Sequence, residues 1–341
     1  MSLQEENDMN TVRWGLLSTA NINRKLIPAI RASERGELVA VASRSVNSAE
    51  SYAKEWNIPQ AFGSYEAMLA SDDVDAVYIG LPNHLHAPWT IKALDAGKHV
   101  LCEKPFALTL AEVDAMIAAS ERNQRVLMEA FMYRHHPQTK IVGDWIRAGK
   151  LGEIAAFQGL FSFNMGSSRD NVRLNPAWGG GANWDVGVYP MSFAQYVFGG
   201  PPVAVSAQQW LGPEGVDETF VGQMIYADGG MAQFTCGFRM PFQMHVEVIG
   251  TEGRIAVDRP FTGMDQPNEG VIFYNANGDA EAIDVPDKEL YLGQIQNMHA
   301  AILDGAPTYL TLAETRDHIK TALALYESAE NGGKLVKLDA H

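Results

Sequence analysis

The segment Asp75-Ala76-Val77-Tyr78-Ile79-Gly80-Leu81-Pro82 is followed by Ala87-Pro88-Trp89-Thr90-Ile91-Lys92-Ala93-Leu94-Asp95-Ala96-Gly97 and then by His99-Val100-Leu101-Cys102-Glu103-Lys104-Pro105. The outer runs are apolar throughout rather than alternating, as strands buried on both faces require. The middle run reads as a helix ending at Gly97. Strand, helix and strand with short links predict parallel pairing through a covering helix. The last strand stops at an acid and an amine, which are costly at the end of a buried strand unless paired or used. In an open α/β sheet the carboxyl ends of the strands are where ligands bind. Lys104 is therefore the first candidate catalytic residue; a surface salt bridge at a strand-to-helix turn is the alternative.

The same alternation extends outward in both directions. Residues 12–18, 37–44 and 125–136 read as strands, and 20–33, 47–57 and 109–123 as helices. In the first helix Ile22, Leu26, Ile27 and Ile30 share one side. Thr109 and Glu112 form a capping-box pattern, and Ser or Asn is placed to cap the helix over 47–57. The fold class predicted is α/β: a doubly wound parallel sheet over 11–132. Beyond Tyr133 the pattern changes to a helix over 136–152 and then strand-like runs at 153–164, 203–211, 218–227, 231–240, 244–250, 254–258 and 270–275. Asp228-Gly229 and Glu252-Gly253 punctuate them as hairpin turns would. With helices at 188–198 and 311–331, residues 133–341 are expected to form an α+β domain with a largely antiparallel sheet. One face of that sheet is expected to be covered by a partner subunit, giving a homodimer or homotetramer.

Composition narrows the partners. The 341 residues hold 26 Lys+Arg against 41 Asp+Glu, a formal charge of −15, which opposes binding to nucleic acid or an anionic membrane. Cys102 and Cys236 make no disulfide framework, and a reducing compartment is the default. Residues 1–10 are polar and are expected to form a disordered tail without a signal core. No apolar run approaches the roughly eighteen residues needed to span a bilayer. A cytoplasmic protein is expected.

Three further stretches carry chemistry. The first turn reads Gly15-Leu16-Leu17-Ser18-Thr19-Ala20-Asn21-Ile22. A dinucleotide fingerprint uses glycines to bring the backbone to the pyrophosphate at a helix N-terminus; here Ser18 and Ala20 replace the later ones, and Ser18 and Thr19 offer hydroxyls. The second strand ends in Ser43-Arg44-Ser45, with no carboxylate before Glu50. A guanidinium between two hydroxyls suits a ribose 2′-phosphate, which favours NADP over NAD. The fourth strand runs into Leu81-Pro82-Asn83-His84-Leu85-His86. Its histidines lack a third ligand at metal-binding spacing, so helix-capping or cofactor contact is preferred and no metal is expected.

The third stretch is Gly179-Gly180-Gly181-Ala182-Asn183-Trp184-Asp185-Val186-Gly187-Val188-Tyr189-Pro190. Asp185 and Tyr189, four apart, share one helix face and make a candidate acid–phenol pair. An ammonium such as Lys104 nearby would favour the phenolate. A helix cap beside a half-buried tyrosine is the alternative. Tyr133 and Arg134, at the last strand end, can bind substrate hydroxyls. Trp178 and Trp184 can stack on a sugar ring or serve as domain core.

Together these motifs resemble the Gfo/Idh/MocA family of glucose–fructose oxidoreductase, inositol dehydrogenase and relatives. The set is the Gly15 turn, Pro82-Asn83…His86, Ala96-Gly97-Lys98-His99-Val100…Glu103-Lys104-Pro105, and the glycine run with Asp185 and Tyr189. The resemblance implies that Lys104 lies beside the nicotinamide and assists proton transfer, and that the Lys104–Pro105 bond is cis. Where the family commonly has histidine this chain has Tyr189, which looks like the branch of dihydrodiol dehydrogenase, NADP-linked D-xylose dehydrogenase and sugar 3-ketoreductases.

The function expected is an NADP(H)-dependent oxidoreductase interconverting an alcohol or hemiacetal and a carbonyl or lactone on a sugar-like or cyclic diol substrate. Tyr189 would exchange the proton, Lys104 assist it and Asp185 orient the substrate or relay the proton. Cofactor contacts would come from Gly15, Ser18 to Ile22, Ser43 to Ser45, Leu81, Pro82, Asn83, His86, Glu103 and Lys104. A ligand-sensing regulator on the same fold would be expected to lose Lys104 or its partner, and neither is lost. A redox-assisted glycosidase would hold NAD tightly, against which Arg44 argues.

Overall fold

The computed structural model describes residues 10–261, 270–286 and 289–339; all but the last residue of the expected tail lies outside them. The chain divides into two compact units, Met1–His135 with Glu289–Thr315, and His136–Lys288 with Arg316–His341.

In the first unit the elements are β1 Val12–Leu17, α1 Asn23–Ala32, β2 Gly36–Ala42, α2 Val46–Trp56, β3 Gln60–Phe62, α3 Tyr65–Leu69, β4 Ala76–Ile79, α4 His86–Asp95, β5 His99–Glu103, α5 Leu110–Asn123 and β6 Leu127–Ala130. The six strands lie in the order β3-β2-β1-β4-β5-β6, and every neighbouring pair is parallel. This is the doubly wound arrangement, with its switch point between β1 and β4. All four residues of β4 are buried, and burying Val77 or Ile79 stabilises by about 1.5–3 kcal/mol each. At the start of α5, Glu112 N donates to Thr109 Oγ1 at 3.2 Å and Leu108 N to the Glu112 carboxylate at 3.0 Å. The start of α2 differs from expectation: Ser45 precedes it in extended conformation without a capping hydrogen bond from its side chain.

The second unit opens with α6 Pro137–Arg147 and β7 Ile154–Asn164. It continues with α7 Val188–Phe198, β8 Ala204–Leu211, β9 Asp217–Ile225, β10 Met231–Gly237, β11 Arg239–Gly250, β12 Gly253–Asp258, β13 Val271–Asn275 and β14 Ala280–Ile283. After α8 Leu292–Asp304 and α9 Leu312–Glu330, the short β15 Val336–Lys337 completes the sheet. Its order is β14-β13-β12-β11-β7-β10-β9-β8-β15. Only β7 and β10 pair parallel among these neighbours. One face is covered: Phe193 of α7 stacks on Phe157 of β7 at 5.9 Å, and Ser328 of α9 accepts from Ala207 N of β8 at 2.9 Å. The other face alternates outward, with Val221, Ile225 and Met231 exposed.

The expected boundary at 132/133 needs one correction. Glu289–Thr315 belongs to the first unit because its side chains complete that core. Trp14 Nε1 donates to His299 Nε2 at 2.9 Å, and Ser33 Oγ lies 2.9 Å from His299 Nδ1. Arg35 forks onto Asp304 at 2.6 and 2.8 Å. Burial, with Arg35 nearby, lowers the His299 pKa to about 4, so the ring is neutral and can accept from the indole. Among the described residues no helix is long and apolar enough to cross a membrane.

Candidate active site

The candidate residues fall in both units. In the first, the β1 turn is held by its own polar atoms. Ser18 stands at φ +153°, in the range that favours glycine. Its carbonyl accepts from Asn23 Nδ2 at 2.7 Å, and its hydroxyl donates to Gly80 O at 3.3 Å across the switch point while accepting from Ala20 N. Asn23, Arg24 and Lys25 amides donate to the carbonyls of Ala20, Asn21 and Ile22, winding Thr19 to Ile22 tightly into α1. No acidic residue occupies the first turn of α1, so its positive end is open to an anion. At the end of β2, Ser43 N is tied to Phe62 O at 3.0 Å and Arg44 and Ser45 are exposed. These features fit a dinucleotide bearing an extra ribose phosphate.

The strand ends of β4 and β5 are joined through His86. Its ring is fully buried, with Nδ1 2.8 Å from Pro105 O and Nε2 2.7 Å from Leu81 O. Burial pushes its pKa down while the two carbonyls oppose that shift. His86 is thus a clamp between the Leu81-Pro82-Asn83 turn and the lysine turn. The Lys104–Pro105 bond is cis. Glu103 accepts from the Tyr78 hydroxyl and from Lys104 N at 3.2 Å. Burial raises its pKa to about 6 against the pull of Lys104. Phe106 N is anchored on Glu129 at 3.2 Å. Glu103 therefore braces the turn that presents Lys104.

In the second unit the glycine run ends in a π turn, Asn183–Gly187, continuing into α7. The single α-helical face expected for Asp185 and Tyr189 is thereby modified; such wide turns recur at functional sites. Asp185 is paired with Arg173, whose Nε donates to Oδ2 at 2.6 Å. That carboxylate is the main cause raising the Arg173 pKa, and Tyr189 adds to it. The Tyr189 ring packs between Phe161 and Phe261 at 5.5 and 5.2 Å, which fixes the direction of its hydroxyl. Beneath the turn, Asp217 accepts from Asn183 N at 2.7 Å and from the Tyr326 hydroxyl at 2.8 Å. Gly181 stands at φ +130° with the space of a Cβ filled by Asp217 Oδ1, so no other residue fits there. Burial raises the Asp217 pKa to about 7.

Three of the expected substrate-facing residues pack against protein groups, and a fourth is exposed. Tyr133 is fully buried, edge-on to Phe131 at 5.6 Å. Arg134 is buried, bridged to Glu314 at 3.0 Å and lying over Tyr309. Trp184 packs on Tyr326 at 5.3 Å and is 7% exposed. Trp178 is 40% exposed. Arg173, Asp217 and Tyr326 were not singled out from the sequence; no periodicity or motif spacing marks them. Among the described residues, no group of three or more His, Cys, Asp or Glu is placed to hold a metal.

A parallel sheet in the dinucleotide order, a phosphate-ready first turn and a second sheet domain carrying an acid–phenol pair define a nicotinamide-dependent oxidoreductase architecture. The chain belongs to the Gfo/Idh/MocA oxidoreductase family. Residues 12–131 match the oxidoreductase family with NAD-binding Rossmann fold, and 140–256 match the GFO/IDH/MocA C-terminal domain. It is similar to a D-xylose 1-dehydrogenase (NADP+) of Haloferax volcanii, 36% identical over 327 residues, covering 96% of this chain and 99% of the relative. A trans-1,2-dihydrobenzene-1,2-diol dehydrogenase of Bos taurus is 34% identical over 247 residues, covering 71% and 72%. A 3-ketoreductase of Actinomadura kijaniata, solved with NADP and TDP-benzene, superposes with a TM-score of 0.86 at 30% identity, covering 94% and 98%.

Proposed function

We propose that the protein is an NADP-dependent oxidoreductase interconverting a secondary alcohol or hemiacetal and its carbonyl or lactone on a sugar-like or cyclic diol substrate. The observation that carries the cofactor reading is the end of β2, where Ser43-Arg44-Ser45 replaces the acid that a 2′-hydroxyl would need. The printed functions of the xylose dehydrogenase, the dihydrodiol dehydrogenase and the 3-ketoreductase support the substrate class. When bound, NADP accepts or returns the hydride. Tyr189, its ring held by two phenylalanines, exchanges the proton at the substrate oxygen. Lys104 polarises that oxygen and assists the phenol's proton transfer. Asp185, tethered by Arg173, orients the neighbouring substrate groups.

The outer face of the nine-stranded sheet supports association with a second copy, as a homodimer or homotetramer. Met231 and Leu335 are 59% and 55% exposed there beside a hollow of about 300 Å³. Gln158, Gln233 and Gln223 stand in register across β7, β10 and β9, a polar row among apolar side chains. The buried, unpaired Cys102 and Cys236 support a cytoplasmic location.

Reduction of NADP and NAD is to be followed with aldoses, polyols and dihydrodiols. Tyr189→Phe and Lys104→Ala should each lower kcat by about 10²–10⁴-fold while NADP affinity stays within about threefold. Near-normal turnover in both variants would overturn the assignment. Tight NADP binding with no alcohol oxidised would point to a regulator instead.

A further inference from the structure

We propose that Asn23 is a positioning residue for the cofactor: by locking the backbone of Ser18, it sets the turn that receives the pyrophosphate. The inference rests on the reading of this turn as the NADP site.

The fold shifts the dinucleotide fingerprint along the chain from the reading anchored on Gly15. Gly15 lies inside β1, and a Cβ there would stand 3.0 Å from Met68 Sδ and 3.1 Å from Val74 Cγ1. Its smallness serves the packing of the sheet. The turn itself begins at Ser18, directly after β1, and α1 begins at Asn23. Ser18, Ala20 and Asn23 therefore stand at the spacing of the three fingerprint glycines. Those glycines serve, in order, the tight turn, the close approach of the pyrophosphate and the packing of helix on strand. None of the three is glycine here.

The replacements compensate one another. A side chain disfavours the φ of +153° at Ser18, and the residue is held there by Asn23 Nδ2, which donates to its carbonyl at 2.7 Å. Asn23 is itself fully buried and walled in. A Cβ on Gly80, just after β4, would stand 3.3 Å from Asn23 Oδ1 and 3.1 Å from Ile22 Cγ2. The glycine that gives helix and strand their clearance has thus moved from α1 to the end of β4. From α2, burial raises the Tyr52 pKa and Asn23, beside its hydroxyl, opposes that rise. Among the described residues the amides of Thr19, Asn21 and Ile22 make no hydrogen bond to a protein group, and no side chain caps α1. A preformed turn with open amides receives a pyrophosphate without first having to be ordered. Without the Asn23 amide, Ser18 relaxes towards the ordinary negative φ range, and binding has to reorder the turn.

The test is calorimetric titration of the full chain with NADP and with adenosine 2′-monophosphate, which lacks the pyrophosphate. Asn23→Ala should raise the Kd for NADP about 20-fold while that for adenosine 2′-monophosphate stays within about twofold. Ser18→Gly alone should change the Kd for NADP by less than about threefold, because glycine takes the required φ unaided. Added to Asn23→Ala, it should bring the Kd back to within about fivefold of the native value. Tm should fall alike in the single and double Asn23→Ala variants, so a merely structural role would show the fall without the rescue. Asn23→Ser, too short to reach Ser18 O, makes the same comparison if the alanine variant does not fold. An NADP Kd within about threefold of native in the folded Asn23 variant, equal weakening of both ligands, or no rescue by Ser18→Gly would overturn the inference alone. Native protein that binds neither ligand would overturn the NADP reading, and this inference with it.

Discussion

In the first unit the candidate lysine, Lys104, stands at the carboxyl end of a parallel strand, on a turn braced by the half-buried Glu103 and by the His86 ring between two backbone carbonyls. In the second unit Asp185 and Tyr189 stand on a π turn and the helix after it, tethered from below by a single buried carboxyl, Asp217. The two arrangements respond to protons in opposite senses. His99 Nδ1 accepts from Val126 N at 2.9 Å and His299 accepts from Trp14, so both must be neutral. Burial holds both near 4, from an ordinary 6.5. Between those values the unfolded chain binds protons that the folded chain does not, and the stability these groups provide is lost as pH falls from about 6.5 towards 4. Glu103, raised from 4.5 to about 6, and Glu289, also raised by burial, work the other way, while Asp75 and His86, both lowered, add to the loss in acid. Asp217 is raised from 3.8 to about 7: its contribution is complete below about 4 and is lost as pH rises to about 7. The first unit is thus weakened by acid and the second by base.

The largest test of this contrast is His299→Ala. Removing a buried ring and stranding Trp14 Nε1 should cost about 3 kcal/mol in urea unfolding at pH 7, and the loss of stability below pH 6.5 should become shallower. Unchanged stability would mean that Glu289–Thr315 is not anchored through this residue. Next comes Arg44→Asp, which should raise the KM for NADP about 30-fold and reverse the preference towards NAD. The KM for the sugar should stay put; a parallel rise in both would place Arg44 outside a cofactor-only role. The smallest effect belongs to Asp217→Asn, which keeps an acceptor for Asn183 N but cannot ionise. Its unfolding free energy relative to the native protein should be lower at pH 5 and equal or higher at pH 8, a swing of about 2 kcal/mol that the Tm follows. Parallel Tm curves across that range would show that Asp217 does not carry the base sensitivity.

How much of this was legible depended on whether the signal was local. The uniformly apolar runs 76–79 and 99–102 declare strands buried on both faces, and the intervening helix declares their parallel pairing. Arg44 is read as the cofactor end because a side-chain type at a strand terminus is itself the signal. Tyr133, Arg134 and Trp184 carry no such local signal. An aromatic or cation at a strand end looks the same whether it meets a ligand or, as found, Phe131, Glu314 and Tyr326. The helix Leu292–Asp304 has no partner in the local sequence pattern, and its place in the first unit follows only from packing. Asp217 follows a turn at the start of a strand, where an acid is ordinarily solvated; here the glycine run closes over it.

The sequence by itself determined the two kinds of sheet, the order of most elements, the cofactor preference expected of Arg44 and the candidate roles of Lys104, Asp185 and Tyr189. These follow from interactions between near neighbours: periodicity, turn chemistry and what a strand end can bear. Only the tertiary structure decided that Trp14 is completed by His299, 285 residues away, that His86 clamps two strand ends, and that Arg173 and Asp217 hold the π turn from either side. Such pairings depend on which surfaces meet when the chain packs, and a polar side chain carries no mark of its distant partner. Gly179-Gly180-Gly181 joins the two levels: the sequence announces that something must pass close by, and the fold shows that it is the turn bearing Arg173 and the carboxylate of Asp217.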